Sequence, residues 1–93
     1  MTDSGVDMIP GTQTLEHGLV LLEAVADGAT DLRSLVAYTG IGRSTAYRLV
    51  QLLVRKRYLR RLPENEYTLG PKLIQLGFQS LDANPITTVA VHY

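Results

Sequence analysis

At 93 residues, 45% of them hydrophobic, the chain has room for one domain with one modest core. It has no cysteine, which excludes disulfides, thiolate metal sites and a cysteine nucleophile. The formal net charge is zero, but the charges are segregated along the chain. Residues 1–39 hold Asp3, Asp7, Glu16, Glu23, Asp27 and Asp31 against a single base, Arg33. Residues 40–63 hold Arg43, Arg48, Arg55, Lys56, Arg57, Arg60 and Arg61 and no acid. Such a stripe attracts phosphate even on a neutral molecule, although a charge run can also be a plain solvated face.

In chain order, residues 1–12 are rich in small and polar side chains and read as a flexible leader. They lack the basic start and apolar stretch of a secretion signal. No apolar run approaches the ~18 residues of a membrane span, so no membrane partner is expected. Thr14 to Asp27 is predicted to be a first helix, with Thr14 as cap, Leu15, Leu19, Leu22, Val25 and Ala26 as its apolar stripe, and Gly28 as its stop. Asp31 caps a short second helix from Leu32 to about Thr39, which buries Leu32, Leu35 and Val36. Gly40-Ile41-Gly42 is a sharp turn with Ile41 plugging the core.

A third helix is predicted from Arg43 to Arg57. Wound at 100° per residue, it has an aliphatic back of Ala46, Leu49, Val50 and Leu53. Its front carries Ser44, Tyr47, Arg48, Gln51 and Arg55, with Arg43 and Thr45 on the flanks. Helix, tight turn and helix at this spacing make a helix-turn-helix. Tyr58 to Leu62 and Glu66 to Leu69 read as two strands joined by the turn Pro63-Glu64-Asn65, a hairpin that forms a wing. Pro71 starts a fourth helix to about Ala83. Its apolar residues Leu73, Ile74, Leu76, Phe78 and Leu81, with Gly77 among them, are either core or a partner surface. So little chain remains to cover them that a homodimer interface is the favoured reading. Asn84-Pro85 is a further break, after which Ile86 to Tyr93 could begin another helix. The predicted fold class is therefore α+β and mainly helical: a winged helix-turn-helix, with a three-helix core, a two-stranded wing and a C-terminal linker helix.

The stretch from Gln13 to Gly77 resembles the DNA-binding region of the IclR-type bacterial transcription regulators. The resemblance is carried by Thr14-Leu15-Glu16, Leu21-Leu22-Glu23, Leu35 with Thr39-Gly40-Ile41, and the run from Arg43 to Leu49. It continues in Leu53, Tyr58-Leu59, Tyr67-Thr68-Leu69-Gly70, Lys72-Leu73 and Leu76-Gly77. It implies a DNA-binding unit over residues 13–70 and a linker and dimerisation helix over residues 71–84. Residues 85–93 would then lead toward an effector-binding domain absent from this chain. It further implies a bacterial, cytoplasmic homodimer on an operator, higher assembly in a full-length protein, and a small-molecule effector where that further domain exists. Three positions depart from the family pattern: His17 for a usual arginine, Gly42 for a usual proline, and His92 where proline is common.

The candidate DNA contacts are Arg43, Ser44, Thr45, Tyr47, Arg48, Gln51, Arg55, Arg60 and Arg61. Ser44 and Thr45 set short hydroxyls beside the free N–H groups of a helix start, a chemistry that clamps phosphate. Arg48 can bind guanine bidentately or hold a phosphate. Tyr47 can pack on a thymine methyl, bond a phosphate or cover the turn. Gln51 faces the same way, a turn deeper. Arg60 and Arg61 alternate across the wing strand, so at most one faces the backbone squarely. Tyr67 reads as wing packing.

No His, Asp or Glu pair has metal-ligand spacing, and Ser44 has no neighbouring base to activate it. The reading predicts no metal, no cofactor and no enzymatic activity. Its partner is double-stranded DNA, in the form of an inverted repeat. The alternative is a winged-helix module for protein–protein contact, against which the acid-free basic segment argues.

Overall fold

A computed structural model describes residues 12–83. The leader up to residue 11, the break at Asn84-Pro85, the helix expected after it and His92 lie outside the described residues. The elements are α1 (Thr12–Ala26), α2 (Leu32–Thr39), α3 (Arg43–Arg55), β1 (Leu59–Leu62), a single 3-10 turn (Pro63–Asn65), β2 (Glu66–Leu69) and α4 (Pro71–Ala83).

The local signals explain most boundaries. The Asp31 carboxylate accepts the Ser34 backbone N–H at 2.8 Å, capping α2. Gly40, at φ 77°, ends that helix in the left-handed conformation that glycine adopts freely, and its N–H reaches the Val36 carbonyl at 2.8 Å. The Thr39 hydroxyl tightens the turn. It donates to the Leu35 carbonyl at 2.7 Å and accepts the Ile41 N–H at 3.1 Å, which holds Ile41 in the core. The strands pair antiparallel, with Leu59 opposite Leu69, Arg61 opposite Tyr67 and Leu62 opposite Glu66. The Tyr67 N–H donates to the Thr30 carbonyl at 2.7 Å, which ties the wing to the start of α2.

One core joins the three N-terminal helices and both strands, without α4 or the 3-10 turn. Leu21, Ala24 and Val25 of α1, Leu35 of α2, Ile41 of the turn, Ala46 and Val50 of α3, and Leu59 and Tyr67 of the wing are buried together. Their burial is the main stabilising term of a domain this small.

Four expectations need correction. Helix α1 already includes Thr12, so Thr14 lies inside the helix and does not cap it. Its buried face is Leu21, Ala24 and Val25; Leu15 is 65% exposed, Leu19 is 50% exposed, Leu22 is half-buried and Ala26 is exposed. The apolar residues of the helix extend beyond its buried face, and Leu15, Leu19 and Leu22 line an open groove that they share with α3. Leu49 and Leu53 of α3 are half-buried rather than fully buried. Finally, α3 stops at Arg55, and Arg57 turns the chain at φ 71°. The helix closes locally, in a Schellman pattern: Tyr58 N–H donates to the Leu53 carbonyl at 2.8 Å and Arg57 N–H to the Val54 carbonyl at 3.0 Å. Just beyond this end two backbone segments cross, where Gly70 N–H donates to the Tyr58 carbonyl at 2.9 Å and Lys72 N–H to the Arg57 carbonyl at 3.0 Å. A Cβ at Gly70 would lie 2.4 Å from the Arg57 carbonyl oxygen, so only glycine fits there.

Candidate nucleic-acid interface

Helix α3 spans about 20 Å at 1.5 Å per residue. Its back is anchored by Ala46 and Val50, both with no exposed surface. That anchoring turns the opposite face outward. Arg43, Ser44, Tyr47, Arg48 and Arg55 are exposed, while Thr45 and Gln51 are half-buried. Tyr47 and Arg48 lie three and four residues after Ser44, Gln51 three after Arg48 and Arg55 four after Gln51, so these residues form one continuous strip. The strip combines a hydroxyl, a phenol, an amide and two guanidiniums, the donor types that match base edges and phosphate oxygens. Gly42, which precedes α3, makes no side-chain cap, so the first N–H groups of α3 receive no capping bond from that position.

The wing places its two arginines on opposite faces. Arg61 lies opposite Tyr67, on the face turned toward α3, whereas Arg60 lies opposite Thr68. The Arg61 guanidinium donates to the Asn65 side-chain oxygen at 2.7 Å. Asn65 and Glu64 form the wing tip, both with left-handed φ, 61° and 68°. Asparagine tolerates that conformation better than glutamate does. Tyr67 is buried at 4% exposure, as wing packing requires.

A cavity of about 440 Å³ lies where α2, α3 and the wing meet. Asp31, Arg33, Arg43, Tyr47, Arg61, Glu64 and Asn65 all contribute to its wall. Arg33 was not among the sequence-derived candidates. As a lone base in the acidic half of the chain it gave no pattern; its one signal was its place in the first turn of a capped helix next to the turn. The Ser34 side-chain and backbone hydrogen bonds hold the Asp31 carboxyl below its ordinary range, with help from the Arg33 charge. On the far side of α2, Tyr38 donates to the Asp27 carboxylate at 2.6 Å, and that bond raises the Tyr38 phenol above its usual range.

A second surface is apolar. Leu15, Leu19 and Leu22 of α1, Leu49, Leu52 and Leu53 of α3, and Tyr58 line an open groove of about 500 Å³. Leu15 and Leu19, part of the apolar stripe expected of the first helix, thus face this groove. Helix α4 has no buried residue: Leu73 and Leu81 are half-buried, while Ile74, Leu76, Gly77 and Phe78 are exposed. Among the described residues no group of His, Asp or Glu is placed to hold a metal, and no helix is long and apolar enough to cross a membrane.

Three helices with a tight glycine turn before the third, followed by a two-stranded wing, define a winged helix-turn-helix domain. The sequence matches the IclR helix-turn-helix domain over residues 14–63, more than half of the chain. The chain belongs to the IclR family, whose domain of this type is the DNA-binding part of a transcription regulator.

Solved structures agree. The IclR-family transcriptional regulator from Brucella abortus is 31% identical, with a TM-score of 0.70 over 83% of this chain and 30% of its own. HmgR of Pseudomonas aeruginosa is 26% identical, with a TM-score of 0.65 over 75% of this chain and 30% of its own. An IclR transcriptional regulator from Alicyclobacillus acidocaldarius shares the fold, at 24% identity and a TM-score of 0.72 over 77% of this chain and 30% of its own. The chain thus spans about 30% of the length of each. No curated protein sequence matches it.

Proposed function

We propose that this chain is the sequence-reading portion of a bacterial, cytoplasmic transcription regulator, with α3 in the major groove and the wing on the DNA backbone. The observation that carries the reading is the outward strip of α3. Ser44, Tyr47, Arg48 and Arg55 are exposed on the side opposite a fully buried Ala46 and Val50. The role is binding, not catalysis, and a small-molecule effector would act through a further domain of a longer protein. The test is selection of binding sites from a random duplex pool, followed by anisotropy titration of the selected site against a scrambled one. A recovered consensus with preferential binding supports the reading; equal affinity for both duplexes removes sequence recognition.

The proposed working unit is a homodimer on an inverted repeat. The uncovered Ile74, Leu76 and Phe78 of α4 support it, because apolar surface of this kind gains from burial against a partner. A two-fold pair would present two recognition helices to half-sites about one helical turn, ~10 bp, or a multiple apart. Sedimentation with and without a palindromic duplex decides the matter, and one protomer per duplex at saturating protein would rule out the dimer.

A further inference from the structure

Resting on the DNA-binding reading above, we infer that the cavity between α2, α3 and the wing is a backbone clamp for duplex DNA, in which Arg33 holds a phosphodiester beside those met by Arg43 and Arg61. Three elements distant in sequence bring these guanidiniums to one wall: the first turn of α2, the start of α3 and strand β1. All three arginines are exposed, and none forms an ion pair among the described residues. Arg61 is the one with a protein partner, the neutral amide of Asn65, which steadies its fork and leaves its charge uncompensated. The Tyr47 hydroxyl, at the same wall, adds a neutral donor.

Two carboxylates share the cavity, and they differ in kind. Asp31 is committed to the α2 cap through Ser34. Glu64 sits at the exposed wing tip with no hydrogen bond or ion pair among the described residues. A free carboxylate beside three bases repels an entering phosphate, so Glu64 limits how far the wing tip closes on the backbone. The ligand chemistry that fits is a chain of singly charged phosphodiesters, which several separate guanidiniums can grip at successive positions.

The experiment uses the 93-residue chain and a mixed-sequence 30-bp duplex, titrated by anisotropy across a salt series. Arg33→Ala should lower the log–log salt slope by about 0.9, so the affinity gap to the parent chain narrows roughly 3.5-fold between 50 and 200 mM salt. Arg33→Lys should keep the slope, because it keeps the charge. Glu64→Gln should tighten binding, with the gain fading as salt rises. An unchanged slope for Arg33→Ala, in a parent chain that does bind the duplex, overturns the clamp while leaving DNA binding intact. If the parent chain binds no duplex at all, the DNA-binding reading and the clamp both fall. Circular dichroism of each variant shows whether the fold persists, and it should, since residues 33 and 64 are exposed.

Discussion

Helices α3 and α4 are each 13 residues long and are treated in opposite ways by the fold. Helix α3 buries an aliphatic edge and turns a polar, basic strip to solvent. Helix α4 has no fully buried residue and leaves Ile74 at 64% and Phe78 at 67% exposure. The contrast teaches that what an element leaves uncovered describes its partner. A strip of hydroxyl, amide and guanidinium groups suits a wet polyanion, whereas an aliphatic and aromatic face suits a dry protein surface. The same distinction separates the Arg33–Arg43–Arg61 wall from the groove lined by Leu15, Leu19 and Leu52.

The largest test of that contrast is stability. Leu21→Ala removes a side chain with no exposed surface from beneath α3 and should cost roughly 2–5 kcal/mol, enough to leave so small a domain largely unfolded by circular dichroism. Ile74→Ala should change the protomer's melting by less than about 0.5 kcal/mol. If Ile74→Ala melts the dilute protomer as severely as Leu21→Ala, then α4 is core and the contrast is broken.

The next effect is on recognition. Arg48→Ala should weaken binding to the selected site by ~1–3 kcal/mol if the guanidinium reads a base, relaxing one position of the consensus. Equal losses on selected and scrambled duplexes would reassign Arg48 to phosphate. A smaller effect sharpens the wing. Arg61→Ala should lower the salt slope by about 0.9, and Arg60→Ala, on the other strand face, should leave it unchanged. The reverse result would mean that the wing presents its other side to DNA.

The smallest effect is a pH dependence. The folded Asp31 carboxyl titrates below its ordinary value of 3.8, because the capping bond favours the ionised form. Its contribution to stability is therefore complete well above pH 3.8 and lost as pH falls through the lowered folded value. Asp31→Asn should melt slightly below the parent chain at pH 7, and the difference should vanish in strong acid. A difference that persists there would assign the loss to packing rather than to charge.

Sequence patterns located the bounds of α2 and the start of α4 because these carry their own punctuation: Asp31 and Gly40 around α2, and Pro71 at the start of α4. The outward strip of α3 was legible for a related reason, since its aliphatic back fixes the phase of the whole helix. Helix α1 misled because its apolar residues extend beyond its buried face, and periodicity cannot tell which of them find a neighbour. The last turn of α3 was overestimated because the residue that closes it in the left-handed conformation is Arg57, which carries none of the usual helix-stop signals of glycine or asparagine. Arg33 stayed hidden for a different reason: its companions at the cavity come from α3 and the wing, and only the folded chain assembles them.

The crossing at Gly70 has a mechanical meaning. Two backbone hydrogen bonds, at 2.9 and 3.0 Å, join residues 57–58 to residues 70 and 72, with no space for even a methyl group between the strands of chain. The two backbones are in direct contact at this joint. Helix α4 is thereby mounted on the end of α3 as a cantilever about 20 Å long. A tilt of roughly 10° at its root would carry its far end some ~3.5 Å on that length. Any such displacement of α4 would be pivoted at residue 70, directly beside the residues that follow the last turn of α3.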